Sequence, residues 1–310
     1  MNAPIRSVSL SVPGNLLLMG EYAVLEEGGL GLALAVEPRV LLQASSARRL
    51  HVDGVRPGGS GRSAVVEAAV AVTEEFLGRT CAGSLRVDSR AFFSADGRKI
   101  GLGSSAAVTV SLVCALLSLA GRSDAARGAE AAALAVRAHR RAQQGRGSGY
   151  DVLASFHGGA GAVRGGVSPT WEPCALPAGV ELVLFAGAAP VSTADAVRRY
   201  SEWKNGNPAA AARFLRDSNE TVLSFRRSPT VEQLCRSLAA CRRLGIDMGK
   251  AIGVPAHLVV PEGLDGSWCK ALGAGNEIGL CLVPPGAARP ARVPGGRTVL
   301  AAERGVAWEE

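Results

Sequence analysis

Apolar residues alternate with polar ones from Val8 to Val12 and run together from Leu16 to Met19, both patterns that suit strands. Pro13-Gly14 marks a turn or bulge between them. A further apolar run reaches Val36, and Val40 to Ala44 continues as strand. Residues 54–62 read as a loop of Gly, Pro, Ser and Arg, and Ala64 to Leu77 carries a helical pattern. Leu85 to Phe93 alternates again. Beyond it, Val108 to Leu119 is predominantly apolar and predicts a buried helix reaching about Ala120. Ser123 is placed to cap an alanine-rich helix that extends to about Gln144, where Gly145-Arg146-Gly147-Ser148-Gly149 ends it. A short helix from Tyr150 to Phe156 has Asp151 in its first turn, and Gly158-Gly159 leads back into a strand ending at Val163.

Prolines 169, 173 and 177 then suggest a linker, so that residues 1–172 and 173–310 form two domains. The second half predicts a strand at Val180–Phe185 and a helix capped by Ser192-Thr193 that carries Arg198. Helices at 208–225 and 230–244 and a strand pair at 256–260 and 279–283 follow. Strands mixed with helices in two halves indicate an α/β or α+β two-domain enzyme.

A length of 310 residues is enough to bury a sizeable core. The 34 basic and 27 acidic residues give a net charge of +7, which suits a small anionic substrate. Without a Lys/Arg run interleaved with aromatics, that charge does not point to nucleic acid. The seven cysteines show no CxxC and no metal-ligand spacing, and read as reduced thiols of a cytoplasmic protein. Pro13-Gly14 and Glu21 interrupt the N-terminal apolar run, which argues against a signal peptide, and no stretch of 18 apolar residues predicts a membrane span.

The richest chemistry lies at Lys99-Ile100-Gly101-Leu102-Gly103-Ser104-Ser105-Ala106. Glycines let a backbone approach a ligand and turn N–H groups toward it. Ser104 or Ser105 can cap the following helix, whose N-terminus attracts anions. Lys99 adds a mobile positive charge, and it is one of only four lysines. Together these make a phosphate cradle. A Walker loop is excluded, because its lysine follows the glycines rather than preceding them. Gly101, Gly103 and Ala106 do fit GxGxxA, but Asp124, at the right spacing for a ribose contact, sits in a turn and helix start rather than at a strand end.

In three segments taken in order, the chain resembles the GHMP kinase superfamily: Pro13 to Leu25, Lys99 to Val108, and Lys270-Ala271-Leu272-Gly273-Ala274-Gly275. Ala138-His139-Arg140-Arg141-Ala142-Gln143, followed by Gly147-Ser148-Gly149-Tyr150-Asp151-Val152, is similar to the phosphomevalonate kinase branch. Arg140 stands where mevalonate kinases typically carry a metal-binding glutamate. The resemblance implies an α+β fold, with an N-terminal domain like ribosomal protein S5 domain 2, a ferredoxin-like C-terminal domain and an active site between them.

It implies an ATP-dependent transfer to phosphomevalonate by a monomer or homodimer. ATP would lie over Gly101, Leu102, Gly103, Ser104, Ser105 and Ala106, with Ser105 contacting Mg²⁺. Lys99 and Asp151 would be catalytic, with Asp151 orienting the acceptor. Glu21, Arg146, Ser148, Gly149, Ser192, Thr193 and Arg198 are the candidates for binding the acceptor, while His139 reads as a hydrogen-bonding partner on its helix. The chain departs from the family at Asn15, where such kinases usually have lysine, and at Asn276-Glu277, where their third motif continues with glycines.

Overall fold

The computed structural model describes residues 7–55, 63–188, 191–287 and 296–309. Its contacts divide the chain into two compact units. The first comprises residues 1–16, 34–159 and 301–310, the second 17–33 and 160–300. The expected division was a single cut at 172/173. Instead, the chain crosses between units inside its first two long strands, and its last ten residues return to the first unit.

The first unit is built on β1 (Ser7–Met19), β2 (Leu30–Ser45), β3 (Leu50–Val55) and β4 (Gly83–Asp88), with β11 (Ala307–Glu309) closing one edge. Strands β2 and β4 are antiparallel, with Leu42 opposite Val87, whereas β3 and β4 are parallel. Alternation in β4 follows the pleat, with Leu85 and Val87 buried and Ser84 and Arg86 exposed. One face is covered by α1 (Ala64–Leu77), α2 (Ser104–Leu119), α3 (Ser123–Arg127), α4 (Ala129–Ala142) and α5 (Tyr150–His157). Helix α2 packs against α1, α4 and α5, and its residues from Thr109 to Ser118 are all buried, in keeping with its predominantly apolar sequence, while the hydroxyls of Thr109 and Ser111 donate to the Ser105 and Val108 carbonyls.

Several sequence expectations change. The chain stays extended through Pro13-Gly14, so 8–12 and 16–19 belong to one strand. A methyl group on Gly14 would overlap the Leu102 carbonyl, and this backbone approach is the reason for the glycine. Helix 123–144 is two helices, broken at an extended Gly128. The expected linker near 170 is instead the strand β6 (Thr170–Cys174), paired antiparallel with β5 (Ala160–Arg164) in the second unit.

The main sheet of the second unit is antiparallel in the order β10-β7-β9-β8, formed by β7 (Glu181–Ala186), β8 (Cys269–Ala271), β9 (Ile278–Val283) and β10 (Gly296–Val299). Helices α6 (Thr193–Gly206), α7 (Pro208–Arg227) and α8 (Val231–Ile252) lie between β7 and β8 in sequence. Helix α8 runs eight residues past the expected end and stops at Gly253, in the left-handed conformation. Residues 256–260 form no strand, because both edges of β9 are already paired, with β7 and β8. All seven cysteines are free, and no helix among the described residues is long and apolar enough to cross a membrane.

Candidate active site

The glycine segment enters α2 through Gly101 at φ +76° and Gly103 at φ +70°. Gly103 is itself the N-cap, and no side chain caps the helix. This corrects the expected serine cap: Ser104 and Ser105 form the first turn, and their backbone N–H groups and that of Ala106 have no partner among the described residues. Unpaired first-turn N–H groups at the positive end of a sixteen-residue helix favour a bound anion. Leu102 points inward and is buried. Lys99 is exposed, at the end of a turn held by Asp96 and Arg98, with Arg98 Nε 2.6 Å from Asp96 Oδ2.

Asn15 lies beneath the glycines. It is 3% exposed, its backbone N–H donates to Leu102 O (3.0 Å), and its Nδ2 donates to Ser155 Oγ (3.0 Å) and Gly103 O (3.4 Å). Instead of a cation aimed at phosphate, this position holds a neutral amide that ties the first glycine motif to the second and to α5.

On the other side of the loop a side-chain relay runs through three helices. Ser105 Oγ lies 3.2 Å from Nε2 of His139 on α4, and His139 Nδ1 lies 3.2 Å from Asp151 Oδ2 on α5. Burial works against a charge on His139, but the Asp151 carboxylate and its hydrogen bond outweigh it and raise the imidazole's pKa. Burial likewise opposes ionisation of Asp151, yet His139 and the Val152 backbone N–H (2.9 Å) hold its carboxyl below the usual range. His139 is thus a hydrogen-bonding partner, and its bonds extend beyond its own helix. Gln143, four residues on, does approach Nε2 at 3.4 Å, but the two remaining bonds reach other helices. Three-helix packing, absent from any local pattern, creates that link.

Gly149, at φ +85°, caps α5. The loop before it is braced by Arg140, which donates from Nε to Gly147 O (2.9 Å) and from Nη2 to Ser148 O (3.0 Å). Ser148 is buried and accepts from Tyr150 N, whereas Arg146 is exposed.

The other candidates belong to the second unit. Glu21 is ion-paired with Lys270, which is 2% exposed, so neither is a free surface charge. Beside them, Tyr22 takes a strained φ of +63° and donates to Ala274 O (2.5 Å); a narrow cavity between them is lined also by Cys241 and Gly273. Ser192 Oγ caps α6 by accepting from Asp195 N (3.3 Å), and Thr193 is the first residue of that helix. Arg198 is neutralised by Asp195 and Glu202 on its own helix, the latter at 2.6 Å. With Asp195 in its first turn, the N-terminus of α6 is a poorer anion site than expected. The segment after Gly275 is filled by packing: Asn276 is buried and donates to His257 O (2.9 Å), and Glu277 accepts from Val191 N (3.3 Å).

Residues 63–159, which contain α1, the glycine loop, α2, His139 and Asp151, match the family model for the GHMP kinases N terminal domain. With its sheets and helices, the chain has the α+β fold of the GHMP kinases. A protein of Listeria innocua, Lin0012, superposes with a TM-score of 0.81 at 20% identity, covering 98% of this chain and 99% of that one. Streptococcus pneumoniae phosphomevalonate kinase in complex with phosphomevalonate and AMPPNP superposes with a TM-score of 0.65 at 18% identity, covering 88% and 91%.

Among curated proteins, the phosphomevalonate kinase of Streptomyces sp. (strain CL190) is 31% identical, over 37% of this chain and 39% of that one. The phosphomevalonate kinase of Saccharolobus solfataricus is 30% identical, over 49% and 47%. The chain thus spans less than half the length of the curated relatives it matches.

Proposed function

We propose that this chain is an ATP-dependent kinase of the GHMP type that transfers a phosphoryl group to the phosphate of 5-phosphomevalonate, giving 5-diphosphomevalonate. One observation carries the reading: the uncapped N-terminus of α2 opens on the glycine loop, and its Ser105 hydroxyl is joined through His139 to Asp151. An anion-binding helix end and a carboxylate are thereby held in one rigid frame. The choice of acceptor rests on the curated relatives and on the pattern around His139 and Asp151.

In this reading the N–H groups of Ser104, Ser105 and Ala106 hold the nucleotide's phosphates, and Lys99 neutralises charge that develops as the bond to ADP breaks. Because a phosphate acceptor is already largely ionised near neutral pH, Asp151 orients it rather than removing a proton. Ser105 supplies an oxygen donor of the kind that Mg²⁺ takes. Among the described residues no cluster of three or more ligating side chains exists, so such an ion would draw its other oxygens from phosphate and water. Mg²⁺ bound there would shield the charge between nucleotide and acceptor.

Asn15 favours a second reading, a non-catalytic member that keeps the ligand site: the buried amide cannot supply the charge that a lysine there would. ADP release measured with phosphomevalonate, mevalonate and homoserine, beside a Lys99→Ala control, separates the two. Turnover with phosphomevalonate that falls about 100-fold or more in the control is expected. ATP binding without turnover of any acceptor would establish the second reading.

A further inference from the structure

Among the described residues, the His139 side chain bonds both to Ser105 of the glycine loop and to Asp151, the two ends of the proposed site. It is 3% exposed and comes from a helix that carries neither the glycine loop nor Asp151. A carboxylate only accepts hydrogen bonds, so the 3.2 Å contact with Asp151 Oδ2 requires the proton on Nδ1. In the neutral imidazole that leaves Nε2 as an acceptor facing the Ser105 hydroxyl at 3.2 Å and the Gln143 amide nitrogen at 3.4 Å, two groups able to donate to it. From α2, the group that meets the ring is the uncharged Ser105; from α5, it is Asp151; from its own helix, Gln143. The carboxylate of α1 that reaches α4, Glu75, is engaged by Arg137 and Arg141 instead.

We propose that His139 is a positioning residue that fixes the Ser105 hydroxyl and the Asp151 carboxylate in a single arrangement, with the hydroxyl proton directed at the ring and its lone pairs turned toward the ligand of the glycine loop. The inference rests on the kinase reading above and adds to it the group that couples the nucleotide end of the site to the acceptor end. A hydroxyl free to rotate would present its proton to a cation or phosphate part of the time; a ring wedged between two helices removes that freedom. The same ring keeps the Asp151 carboxylate turned toward α4, so displacing it disturbs both functions at once.

The two nitrogens can be separated by substitution. The amide nitrogen of Asn falls near the place of Nδ1, and the amide of Gln, turned so that its oxygen takes the place of Nε2, still accepts from the Ser105 hydroxyl, so His139→Asn keeps the bond to Asp151, whereas His139→Gln keeps the one from Ser105. Calorimetric ATP binding with and without Mg²⁺, needing no turnover, reads the Ser105 end; kcat with phosphomevalonate reads the Asp151 end. We expect H139N to lose about fivefold of the tightening that Mg²⁺ confers on ATP binding, one hydrogen bond's worth. We expect H139Q to keep that tightening within about twofold while kcat drops about tenfold. Adding H139N to Ser105→Ala should change ATP affinity by less than about twofold, since the coupled partner is already gone.

Unaltered Mg²⁺ dependence in H139N, or additive effects in the double variant, would overturn the proposal. Should either substitution unfold the chain, the nitrogen-15 resonance of Nε2 in the otherwise intact protein carries the test: S105A should shift it, and an unmoved resonance refutes the coupling. Failure of the unaltered protein to bind ATP at all is a different result. It overturns the kinase reading itself, and this inference with it.

Discussion

Replacing Gly103 by alanine tests the architecture of the loop directly. The new methyl group meets two obstacles. Its backbone sits at φ +70°, where a non-glycine residue is disfavoured by about 1–2 kcal/mol. Its Cβ would also overlap the Asn15 side-chain amide, which is buried and cannot swing into solvent. Moving that amide sacrifices the bonds to Ser155 Oγ and Gly103 O, each contributing about 1 kcal/mol. The total is about 3–4 kcal/mol, which in a unit of this size lowers the melting temperature by about 6–16 °C at roughly 2–4 °C per kcal/mol. Thermal denaturation followed by circular dichroism measures it. Asn15→Ala provides the control: shortening the side chain removes the overlap, so the double variant should be at least about 1 kcal/mol more stable than the two single effects summed. A G103A protein melting within about 2 °C of the unaltered one, or strict additivity with N15A, would show that the amide does not support the loop.

Arg140→Ala should release the Gly147 and Ser148 carbonyls, about 1–3 kcal/mol of local stability. Amide hydrogen exchange would report it as faster exchange in residues 147–152, with α1 unaffected. Burial, and then the charge of Glu21, push the Tyr22 phenol up to about 12. In the unfolded chain it ionises near 10, so between those values the folded state holds the extra proton and stability falls as pH rises, by about 2–3 kcal/mol over the interval. Tyr22→Phe, which also loses the bond to Ala274 O, should be less stable at pH 8 yet show a shallower decline from pH 10 to 12 in urea titrations. An unchanged slope would refute this account of the phenol.

The elements with strong local signals are where the sequence placed them. Helix α1 has the predicted limits, Ala64 to Leu77, because an N-capping Ser63 and a left-handed Gly78 bound an apolar face. Helix α5, bounded by Gly149 and Gly158, starts at Tyr150 as predicted and ends one residue later than expected, at His157. Misreadings arose where pairing partners decide. Residues 170–174 look like a linker by their prolines, but β5 offers a strand edge. Residues 256–260 look like a strand, but no edge of β9 is free to receive them. The turn before α2 and the helix start at Asp151 were legible because special backbone angles and helix starts leave residue-type signatures. The pairing of Arg198 with Asp195 and Glu202 on its own helix was not legible, because it is a matter of rotamers rather than of spacing.

By itself, then, the amino-acid order determined that a flexible, glycine-bearing turn opens a predominantly apolar helix, and that a carboxylate begins another helix after a second glycine turn. Such features depend on the few residues whose own backbone preferences produce them. Only the tertiary structure decided that Asn15 props the first turn as a neutral brace, and that His139 joins Ser105 to Asp151. Those contacts span separations of 140, 34 and 12 residues, and hydrogen bonds over such distances exist only once the helices have packed.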